Sequence, residues 1–151
     1  MYPDVHVVHF VREHFAPVEV HVKRHADEYA RLSARFGARW TPTLLVIDPG
    51  GEVRHRVEGF LPAHDLIGQL ALGLGHSAFA RGDFDEAARR FQEIVERHAD
   101  SDAGAEALYW AGVARYKGTG DGSALADTAA AFQKRFTATP WAKKASVWAG
   151  S

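Results

Sequence analysis

The chain has 151 residues, 46% hydrophobic and 25% charged, a composition of the soluble globular kind and long enough for one domain or two small ones. Its net charge of -1 with histidine neutral creates no global field toward nucleic acid or anionic membrane, so neither is an expected partner. Cysteine is absent, which excludes disulfides, thiolate metal sites, cysteine nucleophiles and dithiol redox chemistry within these residues.

Met1-Tyr2-Pro3-Asp4 shows no basic segment leading into an apolar one, and no apolar run approaches the ~20 residues that span a bilayer. A cytoplasmic location is the expectation. The first element reads as an amphipathic helix from about 4 to 14, with Val5, Val8, Val11 and Phe15 as its stripe and Asp4 as its cap; its β-branched content keeps a strand open as the alternative. Between Pro17 and Lys23, Val18, Val20 and Val22 alternate with Glu19, His21 and Lys23, which predicts a strand. Tyr29, Leu32 and Phe36 then mark a helix over about 25–36, with Gly37 in the position of a C-cap.

An apolar run at 43–48 follows directly on Pro42. Thr41-Pro42 is either an ordinary strand start, where the missing N–H is tolerated, or a cis turn. Asp48-Pro49-Gly50-Gly51 makes a turn, and Glu52 to Glu58 reads as the return arm of a hairpin with Val53 and Val57 as its apolar positions. After Gly59-Phe60-Leu61, Pro62 suits a helix start, and Leu66, Ile67, Leu70 and Leu74 supply that helix with a core stripe.

Five landmarks in this order carry a resemblance. Phe36-Gly37-Ala38-Arg39-Trp40-Thr41-Pro42-Thr43, the strand to Asp48, Pro49-Gly50-Gly51 and Val57-Glu58-Gly59-Phe60 resemble the C-terminal half of a thioredoxin-fold protein; Tyr2-Pro3-Asp4-Val5 and Phe15-Ala16-Pro17-Val18 resemble the segment after the family's active-site helix start. The resemblance covers residues 2 to about 73 and implies that Pro42 is the family's cis-proline. It also implies a Cys-x-x-Cys after a central strand, and this chain departs from that pattern: it begins inside the helix, without the strand or either cysteine. The fold expected is therefore an incomplete thioredoxin-like sheet, with a gap between strands 18–23 and 43–48. Those strands pair directly or another segment fills the slot; a second copy of the chain would make a homodimer through the incomplete sheet.

From about residue 72 strand signals give way to helical periodicity. A helix ends at Gly82, Asp83 caps the next, and Phe84, Ala87, Ala88, Phe91, Ile94 and Val95 form its inner face. Ala105–Tyr116, Leu125–Phe136 and a last helix opening at Pro140 follow. Gly82-Asp83 and Gly120-Asp121 stand about 38 residues apart, close to the ~34-residue tetratricopeptide repeat, and Ala87 or Ala88, Phe91, Gly112 and Ala129 resemble its small-against-aromatic packing. The fold class expected is α/β then all-α, with a partial thioredoxin-like domain over 1–73 and tetratricopeptide-like (TPR-like) helical hairpins over 74–151.

No Ser-His-Asp set or phosphate loop appears, and Gly73-Leu74-Gly75 fits close packing or a bend between the halves. The acidic residues Asp65, Asp83, Asp85 and Glu86 sit at helix starts, where the helix dipole accounts for them. His6 with His9, and His21 with His25, are spaced to share a cation, but neither pair has a third ligand in view, so no metal or other cofactor is expected. Trp40, Thr41 and Pro42 form the candidate peptide-binding edge: Trp40 lies just before the proline loop, where an indole serves either as an anchor or in a structural role, and the resemblance implies that the Thr41 backbone pairs with an extended chain. Trp110 reads as core. The function expected is a non-catalytic protein-interaction or scaffold module with a protein or peptide partner and no catalytic residue. The alternative is a fragment of a thiol–disulfide oxidoreductase whose Cys-x-x-Cys lies upstream of Met1.

Overall fold

Local chemistry opens the first element. In the computed structural model, which describes residues 4–150, the Asp4 carboxylate accepts hydrogen bonds from the backbone N–H groups of His6 at 2.8 Å and Val7 at 3.3 Å. Two otherwise orphaned donors are thereby satisfied, and helix α1 runs from Val5 to His14. Tyr2 and Pro3, used in the resemblance, lie outside the described residues. The face that α1 buries keeps Val11 and Phe15 of the expected stripe but shifts toward Val7 and Phe10. Val7 is buried with Phe10 and Val11 packed beside it, whereas Val5 is exposed. The i, i+3, i+4 set of Val7, Phe10 and Val11 makes a broader contact face than residues spaced mostly by three.

The strand expected at 18–23 does not form. Residues 15–21 have no regular structure, 22–25 form a turn, and Val18 is 85% exposed. Alternation describes a strand's two faces but supplies no neighbour to pair with, and among the described residues no strand lies alongside. A local alternative takes the backbone instead. The His21 imidazole Nδ1 accepts from the N–H groups of Lys23 and Arg24 at 3.2 and 3.3 Å, and His25 Nδ1 accepts from the His21 N–H at 3.0 Å. Side-chain acceptors of this kind compete directly with a strand ladder.

Helix α2, Ala26–Phe36, ends at Gly37, whose φ of 65° is the left-handed conformation expected of a C-cap. Its Tyr29, Leu32 and Phe36 are only half-buried, and no α2 residue is fully buried. A polar tether holds its end: the Arg56 guanidinium donates to the carbonyls of Phe36 and Gly37. Strands β1, Thr43–Ile47, and β2, Val53–Glu58, pair antiparallel with Leu44 opposite Val57 and Leu45 opposite Arg56; an irregularity after Val46 brings Ile47 opposite Val53. In the turn, Asp48 accepts from the Glu52 N–H at 3.0 Å and from Arg54 Nε at 2.6 Å. These two interactions, the backbone one first, hold its carboxyl below the ordinary 3.8.

The longest connection between the two parts of the molecule is α3, Ala63–Ala80, which runs unbroken across residues 73 and 74. Leu66 and Leu70 face Val7, Val46 and Val57, while Leu72 and Ala78 belong to a second core built with the later helices. The glycine pair makes this double contact feasible. A Cβ on Gly73 would lie 2.6 Å from Val46 Cγ2, and one on Gly75 would lie 2.5 Å from Phe91 Cε1. Of the two readings of Gly73-Leu74-Gly75, close packing is the one realised. Beyond α3, helices α4 (Phe84–Arg97), α5 (Asp102–Thr119), α6 (Ser123–Lys134) and α7 (Pro140–Ala145) pack each against the next, and a 3-10 turn at Ser146–Trp148 follows. Helix α6 stops two residues short of the expected Phe136, which itself adopts φ 59°.

Candidate functional site

The start of β1 and the end of β2 meet at one end of the hairpin. Pro42 is half-buried, the Thr41-Pro42 peptide is cis, and the Pro42 carbonyl accepts a 2.9 Å hydrogen bond from the Gly59 N–H. Thr43 Oγ1 donates to the Trp40 carbonyl at 2.5 Å. These two bonds lock the loop from either side and leave the exposed Thr41 backbone out. Trp40 is 71% exposed, and Phe60, on the loop tied to Pro42 through Gly59, is exposed as well. The three residues singled out for peptide binding are therefore neighbours on an accessible loop with an indole at its rim. With one sheet of two strands, β1–β2, each strand has one outer edge without a strand beside it among the described residues.

A helix, a second helix, a Pro-led β-hairpin and a third helix packed on the sheet are consistent with a thioredoxin-like N-terminus followed by a helical region. Residues 2–73 match the family model of a thioredoxin-like domain, which supports a thioredoxin-like reading of this part of the chain. The match ends before the chain's midpoint. No curated protein and no solved structure matches the chain.

The other residues picked from the sequence are distributed differently. His6 and His9 are exposed on α1, and His9 Nε2 lies 3.4 Å from a Glu13 carboxylate. In His21 and His25 the Nδ1 atoms already accept backbone N–H groups. Trp110 packs against the helical core, its ring edge-on to Phe79 and His76. Asp83 caps α4 by accepting from the Glu86 N–H at 3.3 Å. No helix of the described residues is long and apolar enough to cross a membrane.

Two histidine clusters escaped the sequence reading. His98, just beyond α4, is nearly buried, with its ring centroid 4.4 Å from that of His64, and its Nδ1 has no hydrogen-bond partner among the described residues. Burial, reinforced by the facing His64, lowers its pKa below 6.5, while Asp100 acts in the opposite direction. Asp100 itself is held below 3.8, chiefly by its 2.9 Å hydrogen bond with His64 Nε2. The second cluster joins His55 of β2, His76 of α3 and Glu106 of α5. Its members are 21 and 30 positions apart, so no short spacing motif announces them.

Proposed function

We propose that the protein is a non-catalytic interaction module, in which a cysteine-free thioredoxin-like domain presents the Trp40-Thr41-Pro42 loop to an extended peptide and the helices that follow act as a TPR-like scaffold. The observation that carries this reading is the exposed Trp40 indole beside a Thr41 backbone that the loop's own hydrogen bonds leave out. An extended peptide pairing with that backbone gains main-chain hydrogen bonds, and an indole rim adds the contact area typical of a binding anchor. With no sulfur nucleophile in the chain, the loop has nothing to position a disulfide against. The TPR-like part of the proposal draws support from close small-residue packing: a Cβ on Gly112 of α5 would meet Thr128 Oγ1 of α6 at 2.1 Å. Division into units at residues 73 and 74, a cytoplasmic location and pairing of two copies through an open strand edge belong to the same proposal.

The test is selection of linear peptides from an unbiased displayed library on the intact chain, followed by titration of the winners. Trp40→Ala is expected to weaken the best binders by about tenfold or more, as loss of an aromatic anchor does. Backbone amide signals of Thr41, Thr43 and Leu44 are expected to move on binding. Winners that bind the Trp40→Ala variant unchanged and leave those signals still would overturn the reading, as would a library that yields none. The match of residues 2–73 to a family with redox-active members by resemblance favours one other reading, a fragment of a thiol–disulfide oxidoreductase. An in-frame Trp-Cys-x-x-Cys in the codons upstream of Met1 would decide for it.

A further inference from the structure

The junction between the hairpin and the helical region holds three potential ligands on three different elements. One ring nitrogen from His55, one from His76 and a carboxylate oxygen from Glu106 all lie within 4.8 Å of one another. His76 and Glu106 are largely enclosed, at 16% and 18% side-chain exposure, so their separation reflects packing rather than a freely chosen surface geometry. That separation, 3.3 Å between His76 Nε2 and Glu106 Oε1, is informative. A charge-assisted N–H to carboxylate hydrogen bond settles at about 2.7–2.9 Å. Two ligands each about 2.0–2.2 Å from a tetrahedral zinc ion stand roughly 3.3–3.5 Å apart. The pair is too long for a strong ion pair and the right width for a shared cation.

The surroundings fix the ligand rings. His76 lies edge-on to Phe91 and Trp110, with ring centroids 5.1 and 5.3 Å away, and near-parallel to the His55 ring at 5.9 Å. His55 Nε2 is 2.7 Å from Gln69 Oε1, an outer contact of the kind that orients a ligating imidazole and sets its tautomer. Two imidazoles and one carboxylate form a donor set that zinc-class cations take with a remaining position for water. The chain has no thiolate to compete for the same ion.

We propose that His55, His76 and Glu106 form a binding site for one divalent cation of the zinc class, which clamps β2 onto α3 and α5. The cation bridges the thioredoxin-like part to the helices at the point where α3 passes between them, so its effect is to stiffen that junction. It does not depend on peptide binding at Trp40.

Metal-free chain titrated with Co²⁺ tests this directly. The expected result is uptake of one Co²⁺ per chain with visible d–d absorption, displacement by Zn²⁺, and a higher unfolding temperature in Zn²⁺ than in chelator. Glu106→Gln, close in shape and checked for retained helicity by circular dichroism, is expected to weaken Co²⁺ by about tenfold or more, and His76→Ala at least as much. The paired variants His6→Asn with His9→Asn, and His21→Asn with His25→Asn, are expected to keep the signal. Absence of uptake overturns the proposal, and so does uptake that survives Glu106→Gln or disappears with either N-terminal pair.

Discussion

Among the described residues before α3 only Val7, Val46 and Val57 are buried, whereas α3 to α7 enclose Phe91, Leu72, Ile94, Val95 and a long series of alanines. The two regions have comparable shares of apolar side chains in their elements, yet one closes on itself and the other does not. The helical region succeeds through contacts between successive helices, and its small residues let backbones approach until Phe91 fills the space against Gly75. The N-terminal region offers a two-stranded sheet, and a sheet of that size has too little face to cover α1, α2 and the 15–25 segment together. It leaves Val18, Trp40, Ile47 and Phe60 in the open.

The largest expected effect lies in the closed region. Phe91 is fully buried, meets Gly75 and sits edge-on to His76 at 5.1 Å. Phe91→Ala is expected to cost about 3–5 kcal/mol, measured by urea unfolding, since it removes a ring from a site that rigid helices cannot collapse to fill. A cost under about 1 kcal/mol would mean that the helical core is loosely packed, and the contrast between the regions would disappear.

Legibility in the sequence divides along the same line. Helices α4 to α7, capped at Asp83 and Thr139 and patterned with a helical period, are readable because each depends on its own spacing and on its sequence neighbours. The hairpin is readable for the same reason: Asp48-Pro49-Gly50-Gly51 specifies the turn, and the turn brings β1 and β2 together. Val18, Val20 and Val22 carry an equally clear alternation but have no partner strand close in sequence, and the His21 and His25 rings win the backbone with a turn. The loop at Trp40-Thr41-Pro42 could be located from its order among landmarks. The His55, His76 and Glu106 cluster could not, since its three members converge only when β2, α3 and α5 pack. Local spacing pointed to His6 with His9 and to His21 with His25, pairs that face water or are occupied by backbone donors.

Acid sharpens the comparison from the helical side. Burial disfavours the charged form of His98, so its folded pKa lies below the 6.5 of the free side chain. Below pH 6.5 the unfolded chain therefore binds this proton more readily than the folded one, and stability falls as the pH drops from 6.5 through the lowered folded value, then levels off. The groups facing it are His64, Asp100 and Arg97; His64 and Arg97 deepen the shift and Asp100 opposes it. His98→Gln is expected to flatten that part of the stability–pH curve, read from urea midpoints across the window. An unchanged slope would place the acid sensitivity elsewhere.

The smallest effect is expected at α2. Its amphipathic stripe of Tyr29, Leu32 and Phe36 is half-buried and belongs to neither hydrophobic core, and among the described residues the helix has no extensive contact with another element. Leu32→Ser is expected to change global stability by less than about 1 kcal/mol, in the range of substitutions outside a packed core. Arg56→Ala is expected to do more locally, because the Arg56 guanidinium ties the C-terminal carbonyls of α2 to β2. Amide hydrogen exchange separates the two: α2 amides should exchange faster than those of α3 in the parent chain, and faster still in Arg56→Ala. If Leu32→Ser instead costs as much as a core truncation, α2 is packed in solution against a surface that its half-exposed stripe does not reach here, and the open N-terminal region becomes a closed one.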